Sequence, residues 1–88
     1  MRLTESAQNT ILKIMEKQGL NPDKYYFNLA KPQQKNDGIG ISFCEKTFGA
    51  VYTFGKLKVT VDYDLDVSNL IIDTQAHNNK NYLVFKGE

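Results

Sequence analysis

The chain has 88 residues, eleven of them basic and ten acidic, for a formal charge of +1. That length makes one domain, 1–88, with a modest core, and so small a charge gives no basic stripe of the kind nucleic-acid binding requires. A single cysteine, Cys44, excludes a disulfide-stapled secreted scaffold and points to a reducing cytoplasm, while apolar runs of at most four residues predict no membrane span and no signal peptide.

Thr4 is a natural N-cap, and Glu5 suits the positive end of a helix dipole. Ala7, Ile11, Ile14 and Met15 then recur at helical spacing, with Lys13, Glu16 and Lys17 on the wet side. This stripe reads as core packing. Gly19 stops the helix and Pro22 forbids its continuation, so the helix runs from Glu5 to Gln18. Lys24 to Ala30 alternates as a strand. Lys31 to Gly38 is a polar loop. Ile39 to Glu45 alternates again, with Ile39, Ile41 and Phe43 expected inward. Thr47-Phe48-Gly49 turns the chain into a hairpin.

That hairpin, Val51 to Asp62, carries the firmest local signal. Gly55-Lys56 is a two-residue loop with Gly at the first central position, which suits a type II′ turn. It pairs Phe54 with Leu57, Tyr52 with Val59 and Ala50 with Val61, all on one apolar face. Tyr52 is therefore expected to be a core ring. A slip of one residue would turn the whole set into water. Asp62 to Asn69 reads as irregular, Leu70 to Asp73 as a short strand, and Gln75 to Asn81 as an Asn-rich turn. Tyr82 to Phe85, apolar on both faces, reads as a central or covered last strand.

The order is helix, strand, polar loop ending in Gly, strand, hairpin, acidic bend, strand, strand. Leu3-Thr4-Glu5-Ser6-Ala7, Gly38 to Phe43, Leu57 to Asp62 and Tyr82 to Phe85 together resemble the HesB-like domain of A-type iron–sulfur cluster carriers, the IscA, SufA and ErpA group. The resemblance implies an α+β, HesB-like fold: one N-terminal helix packed on a small, twisted, mostly antiparallel β-structure of about six strands. In such carriers a cysteine ends the first loop and two more form a Cys-Gly-Cys tail. Here Asn36 stands at the first position, in Asn36-Asp37-Gly38, and the chain given stops at Glu88 without such a tail. What carries over is fold and a bacterial cytoplasmic setting. The sequence resembles a branch that lacks the cluster cysteines.

The residues that could carry chemistry are few. Clusters take thiolates, typically four, and Cys44 lies on a strand, where a small half-buried hydrophobe is the ordinary reading. Asp62, Asp64, Asp66 and Asp73 have EF-hand-like spacing. However, Val67 and Asp73 stand where that loop needs Gly and Glu. A solvated acidic bend is expected, with a weak divalent-cation site at Asp62, Asp64 and Asp66 as the alternative. His77, the only histidine, has no neighbouring ligand or nucleophile. Asn36, Asp37 and Gly38 form a candidate ligand loop, because loops on rigid scaffolds tend to carry function.

The sequence thus predicts a non-enzymatic HesB-like protein without a cofactor, monomeric or homodimeric, accessory to iron–sulfur cluster assembly and partnered by assembly proteins. It is not expected to be a stable carrier. The alternative is a small protein- or ligand-binding module that kept the fold and lost the metal.

Overall fold

The computed structural model describes residues 1–31, 38–47 and 49–87. They form one α-helix and seven strands, divided between two compact units, Met1–Gly19 with Val67–Glu88, and Leu20–Asp66. The expected α+β class with one N-terminal helix holds. The strand count is seven, not six, because a two-residue strand precedes the helix.

In the first unit, β1 (Arg2–Leu3) leads through Thr4 into α1 (Glu5–Lys17). Thr4 has extended backbone, and its Oγ1 accepts from the Ala7 N–H at 3.1 Å. Ala7, Ile11 and Met15 are fully buried, whereas Ile14 is only half-buried. Ile14 thus leaves the expected core stripe. The helix ends at Gln18, and the Gly19 N–H donates to the Glu16 carbonyl.

The sheet of this unit has the order β1-β6-β7, with β6 (Leu70–His77) between β1, parallel to it, and β7 (Lys80–Gly87), antiparallel. Two expectations are corrected here. Gln75 to Asn81 is not a turn: both strands continue to a two-residue loop, Asn78-Asn79, flanked by the pair His77 and Lys80. Both asparagines have positive φ, 51° and 64°, as a type I′ hairpin turn requires. Asn reaches that region more readily than other non-glycine residues, because its short amide can bond locally. In addition, β7 lies at the sheet edge. Leu83, Val84 and Phe85 are half-buried and Tyr82 is 50% exposed.

The helix start is tied to β6 by a hydrogen-bond cluster. Thr4 N–H donates to the Ile72 carbonyl at 3.0 Å, and Thr4 Oγ1 donates to Asp73 Oδ1 at 2.9 Å. The Thr74 N–H reaches the same carboxylate oxygen at 2.8 Å, and the Ser6 and Thr74 hydroxyls bond each other. The Thr74 N–H and the Thr4 hydroxyl hold the Asp73 carboxyl below its ordinary range, against the opposing effect of burial, with a smaller contribution from the Lys86 ammonium 3.8 Å away. A depressed carboxylate stabilises the fold above its unfolded pKa, and that contribution fades as pH falls through the lower folded value. Asp73→Asn is therefore expected to melt below wild type at pH 7. The gap should narrow below about pH 4, where the unfolded carboxyl takes up its proton first. Thermal melts at pH 7 and pH 3 check this, and a gap that widens in acid would refute it.

The second unit is a four-stranded sheet of order β3-β2-β5-β4: Gly40–Cys44, Tyr26–Ala30, Leu57–Asp62 and Gly49–Phe54. β2 and β5 are parallel, and the outer pairs are antiparallel. The hairpin has the expected register, Phe54 with Leu57, Tyr52 with Val59 and Ala50 with Val61, with Gly55 at φ +60°. By strand alternation Ile41, Phe43, Phe27, Leu29, Leu57, Val59, Val61, Ala50, Tyr52 and Phe54 share one face. Burial concentrates at its centre: Phe27, Leu29, Leu57, Val59 and Val61 are at most 2% exposed. Ile41 and Tyr52, on the two edge strands, are 51% and 38% exposed, so neither is the core residue the alternation suggested.

β3 and β4 occupy opposite edges, yet Gly49 follows shortly after Cys44. By register, Cys44 is level with Tyr26, whereas Gly49 is level with Asp62 at the far end of the strands. On a flat sheet the two would lie about 20 Å apart. The intervening chain spans at most about 17 Å, so this sheet must coil.

Candidate functional site

Cys44 ends β3 half-buried, and its thiol donates to the Lys46 carbonyl at 3.1 Å. Burial pushes its pKa up and the Asp62 charge adds to that, against a lowering contribution from the Lys46 backbone. The thiol is thus held in its protonated form, the opposite of what a ligand or nucleophile needs. Asp62 ends β5, half-buried, and Asp64 and Asp66 follow it, exposed, where the Leu65 N–H turns back to the Asp62 carbonyl. Among the described residues no three His, Cys, Asp or Glu side chains gather where a metal could be held. Asp73, the fourth aspartate of the spacing, is instead engaged at the helix start. Asn36 and Asp37 lie outside the described residues. Gly38 is exposed, with open space around its Cα.

On the inner strand β2, Asn28 is 8% exposed; its Nδ2 donates to Ser42 Oγ at 3.4 Å, and its Oδ1 is buried without a partner among the described residues. Its neighbour across the parallel pair, Thr60, is fully buried.

The first unit contains a feature that sequence spacing did not disclose. The second half of α1 and the tip of the β6–β7 hairpin enclose an open groove of about 410 Å³. Thr10, Lys13 and Lys17 line it from the helix, above Ile14, and Lys80, Asn81 and Tyr82 line it from the hairpin. Thr10, Lys13, Ile14 and Lys17 fall at three- and four-residue steps, so they share one helix face. None of the lining residues is acidic, and none of the three lysines makes an ion pair with a described carboxylate. The C-terminal end of α1 carries roughly half a negative charge, which Lys17 in the last turn offsets. Lys13 and Lys80 are then surplus positive charge.

Beside the groove, on the hairpin, lies a shallower depression of about 320 Å³ lined by Gln75, His77, Tyr82 and Val84. Gln75 is directly opposite Tyr82, and the His77 and Tyr82 rings stand 6.5 Å apart, tilted by 53°. Tyr82 belongs to both concavities. His77, dismissed from sequence as a turn residue, is the last residue of β6 and faces a ring.

Comparison of the chain with protein-family models gives no match, and comparison with curated proteins gives none either. No helix among the described residues is long and apolar enough to cross a membrane.

Proposed function

We propose that this chain is a non-enzymatic binding module whose ligand is anionic and sits in the groove between α1 and the β6–β7 hairpin. The observation that carries the reading is a groove lined by Lys13 and Lys17 from one helix face and by the hairpin tip at Lys80, without a lining carboxylate. Lysine is a mobile point charge with three donors, suited to phosphate or carboxylate oxygens. The Thr10 hydroxyl and the Asn81 amide supply neutral hydrogen-bonding groups beside them. The HesB-like ancestry suggested by sequence belongs to the same proposal, as a domain that kept its helix and sheets and exchanged cluster transfer for binding. An accessory role near cluster assembly is the pathway that ancestry suggests.

The test is an NMR titration of the ¹⁵N-labelled protein with inorganic phosphate at low ionic strength, where exposed charges act over about 30 Å. Shifts should concentrate at Thr10 to Lys17 and Asn79 to Tyr82. Lys13→Glu with Lys80→Glu should weaken the effect at least tenfold. Shifts scattered over all lysines, or unaffected by the two reversals, would count against the groove.

A separate prediction concerns the metal. After anaerobic reconstitution with iron and sulfide followed by desalting, wild type and Cys44→Ser should both be colourless, because the one thiol is held protonated at the end of a strand. A brown species retained by wild type and lost in Cys44→Ser would restore the carrier reading.

A further inference from the structure

The edges of the two sheets are guarded differently. An edge strand presents a row of N–H and C=O groups to solvent, and proteins usually protect it with lysine, proline or a bulge. β7, at the edge of the first sheet, carries Lys80 and Lys86. β4, at the edge of the second, reads Gly-Ala-Val-Tyr-Thr-Phe, without a charge or a proline. Val51, Tyr52 and Thr53 are all exposed, the first two at 46% and 38%. Successive side chains of a strand point to opposite faces, so both faces are open to solvent at the middle of β4. Its only neighbour among the described strands is β5. In a hairpin closed by a two-residue loop the flanking pair exchanges hydrogen bonds, and every second pair after it does the same. Phe54 with Leu57, Tyr52 with Val59 and Ala50 with Val61 are those pairs. The outward N–H and C=O groups at the middle of β4 therefore belong to Val51 and Thr53.

We propose that β4 pairs with β4 of a second copy of this chain, antiparallel about a twofold axis, so that the two four-stranded sheets become one. The occupant follows from the strand itself. With Tyr52 opposite the partner's Tyr52, Val51 lies opposite the partner's Thr53, and the outward backbone groups of both copies meet. A β-branched pair then forms on one face and a pair of half-exposed rings on the other, both favourable across strands. Because β4 is uncharged, pairing it with itself opposes no like charges, and nothing along it selects a charged foreign peptide. The contact is isologous and closes after one step. β3 is the other edge and is exposed from Gly40 to Ser42, but pairing β3 with β4 of another copy would be head to tail and would not close. One short ladder buries less than the roughly 1,200 Å² of a stable complex, so the dimer is a weak one that exchanges with monomer.

Sedimentation velocity of the full chain, from low micromolar to millimolar concentration, tests the pairing. Wild type should pass reversibly from monomer to dimer and no further. Amide exchange at Val51 and Thr53 should slow over the same range, because those N–H groups gain acceptors only in the dimer. Tyr52→Lys sets two ammonium groups opposite each other at the axis and should stay monomeric, as should Tyr52→Glu. An equimolar mixture of the two should dimerise again, which also reports that both variants are folded. Thr53→Pro removes an outward N–H and leaves the bonds to β5 in place, so it too should stay monomeric. A wild type that is monomeric at millimolar concentration would overturn the proposal. So would species larger than a dimer, the mark of head-to-tail pairing with β3. Variants that dimerise like wild type, or a Lys and Glu mixture that stays monomeric, would overturn it likewise.

Discussion

Phe27→Ala is expected to destabilise the protein by about 3–5 kcal/mol, the range for large aromatics removed from a packed interior. Phe27 is on the inner strand β2 at 1% exposure and is the largest fully buried side chain among the described residues. Its ring packs on Phe43 with centroids 5.6 Å apart, and its partner across the parallel pair is Val59, itself fully buried. Truncation therefore removes contacts to both neighbours and leaves a cavity in the middle of a sheet whose other central residues cannot relax into it. Such a loss is a large share of the 5–15 kcal/mol that holds an ordinary domain together, and should lower the melting temperature by more than about 10 °C. The matched control is Tyr52→Ala, on the same cross-strand row but at the edge and 38% exposed. Its cost should be well under half as large. Urea denaturation followed by circular dichroism measures both. Equal losses would mean that the edge and the centre of this sheet are not as differently buried as described, and a loss below about 1 kcal/mol at Phe27 would remove it from the core altogether.

That contrast also shows where sequence patterning succeeds. Alternation turned Phe43 inward, put Tyr52 and Val59 on one apolar face and fixed the hairpin register, because the side-chain period of a strand is two and a Gly at φ +60° admits few loops. Alternation does not say whether a strand is central or at the edge. Ile41 and Tyr52 have the pattern of Leu29 and Val59, yet are half exposed because β3 and β4 are edges. The helix was legible for a comparable reason. A Thr cap, an acid in the first turn and a period near 3.6 all agree, and Asp73 strengthens the cap from a distance that no local signal encodes.

The candidate site was the least legible. Lys13 and Lys17 read as a solvated helix face, and Asn78-Asn79 read as part of a broad turn instead of the tight centre of a hairpin. Once the hairpin is extended to Asn78-Asn79, its tip, Asn79 to Tyr82, lies beside the helix face that carries Lys13 and Lys17. The lysines that looked scattered over the sequence are neighbours only through that pairing. A two-residue loop of two asparagines, flanked by alternating residues, was the available signal.

Gly49→Ala should be strongly disruptive for the addition of a single methyl group. The backbone at Gly49 has no positive φ, so the cost is steric and not conformational. A Cβ built there would overlap the Val61 carbonyl oxygen, lie 2.8 Å from the Val61 carbonyl carbon and lie 3.1 Å from the Asp62 Cα. These atoms belong to the backbone of β5, which is hydrogen-bonded to β2 on one side and β4 on the other and so cannot give way as a side-chain tip would. Relief must come from Gly49 itself, at the point where the chain, having left one edge of the coiled sheet, joins the other. Overpacking of this kind costs about 1–3 kcal/mol, occasionally more, and here it should also loosen the start of the β4–β5 ladder. Gly38→Ala is the control, because nothing lies within 4 Å of a Cβ at that position and its φ is ordinary. Urea melts should separate the two variants, with Gly38→Ala within about 0.5 kcal/mol of wild type. Hydrogen exchange should show faster amides at Ala50 to Tyr52 in Gly49→Ala, with those of β6 unchanged. If Gly49→Ala melts with wild type, the first residue of β4 is not pressed against Val61, and the close approach that admits only glycine is wrong.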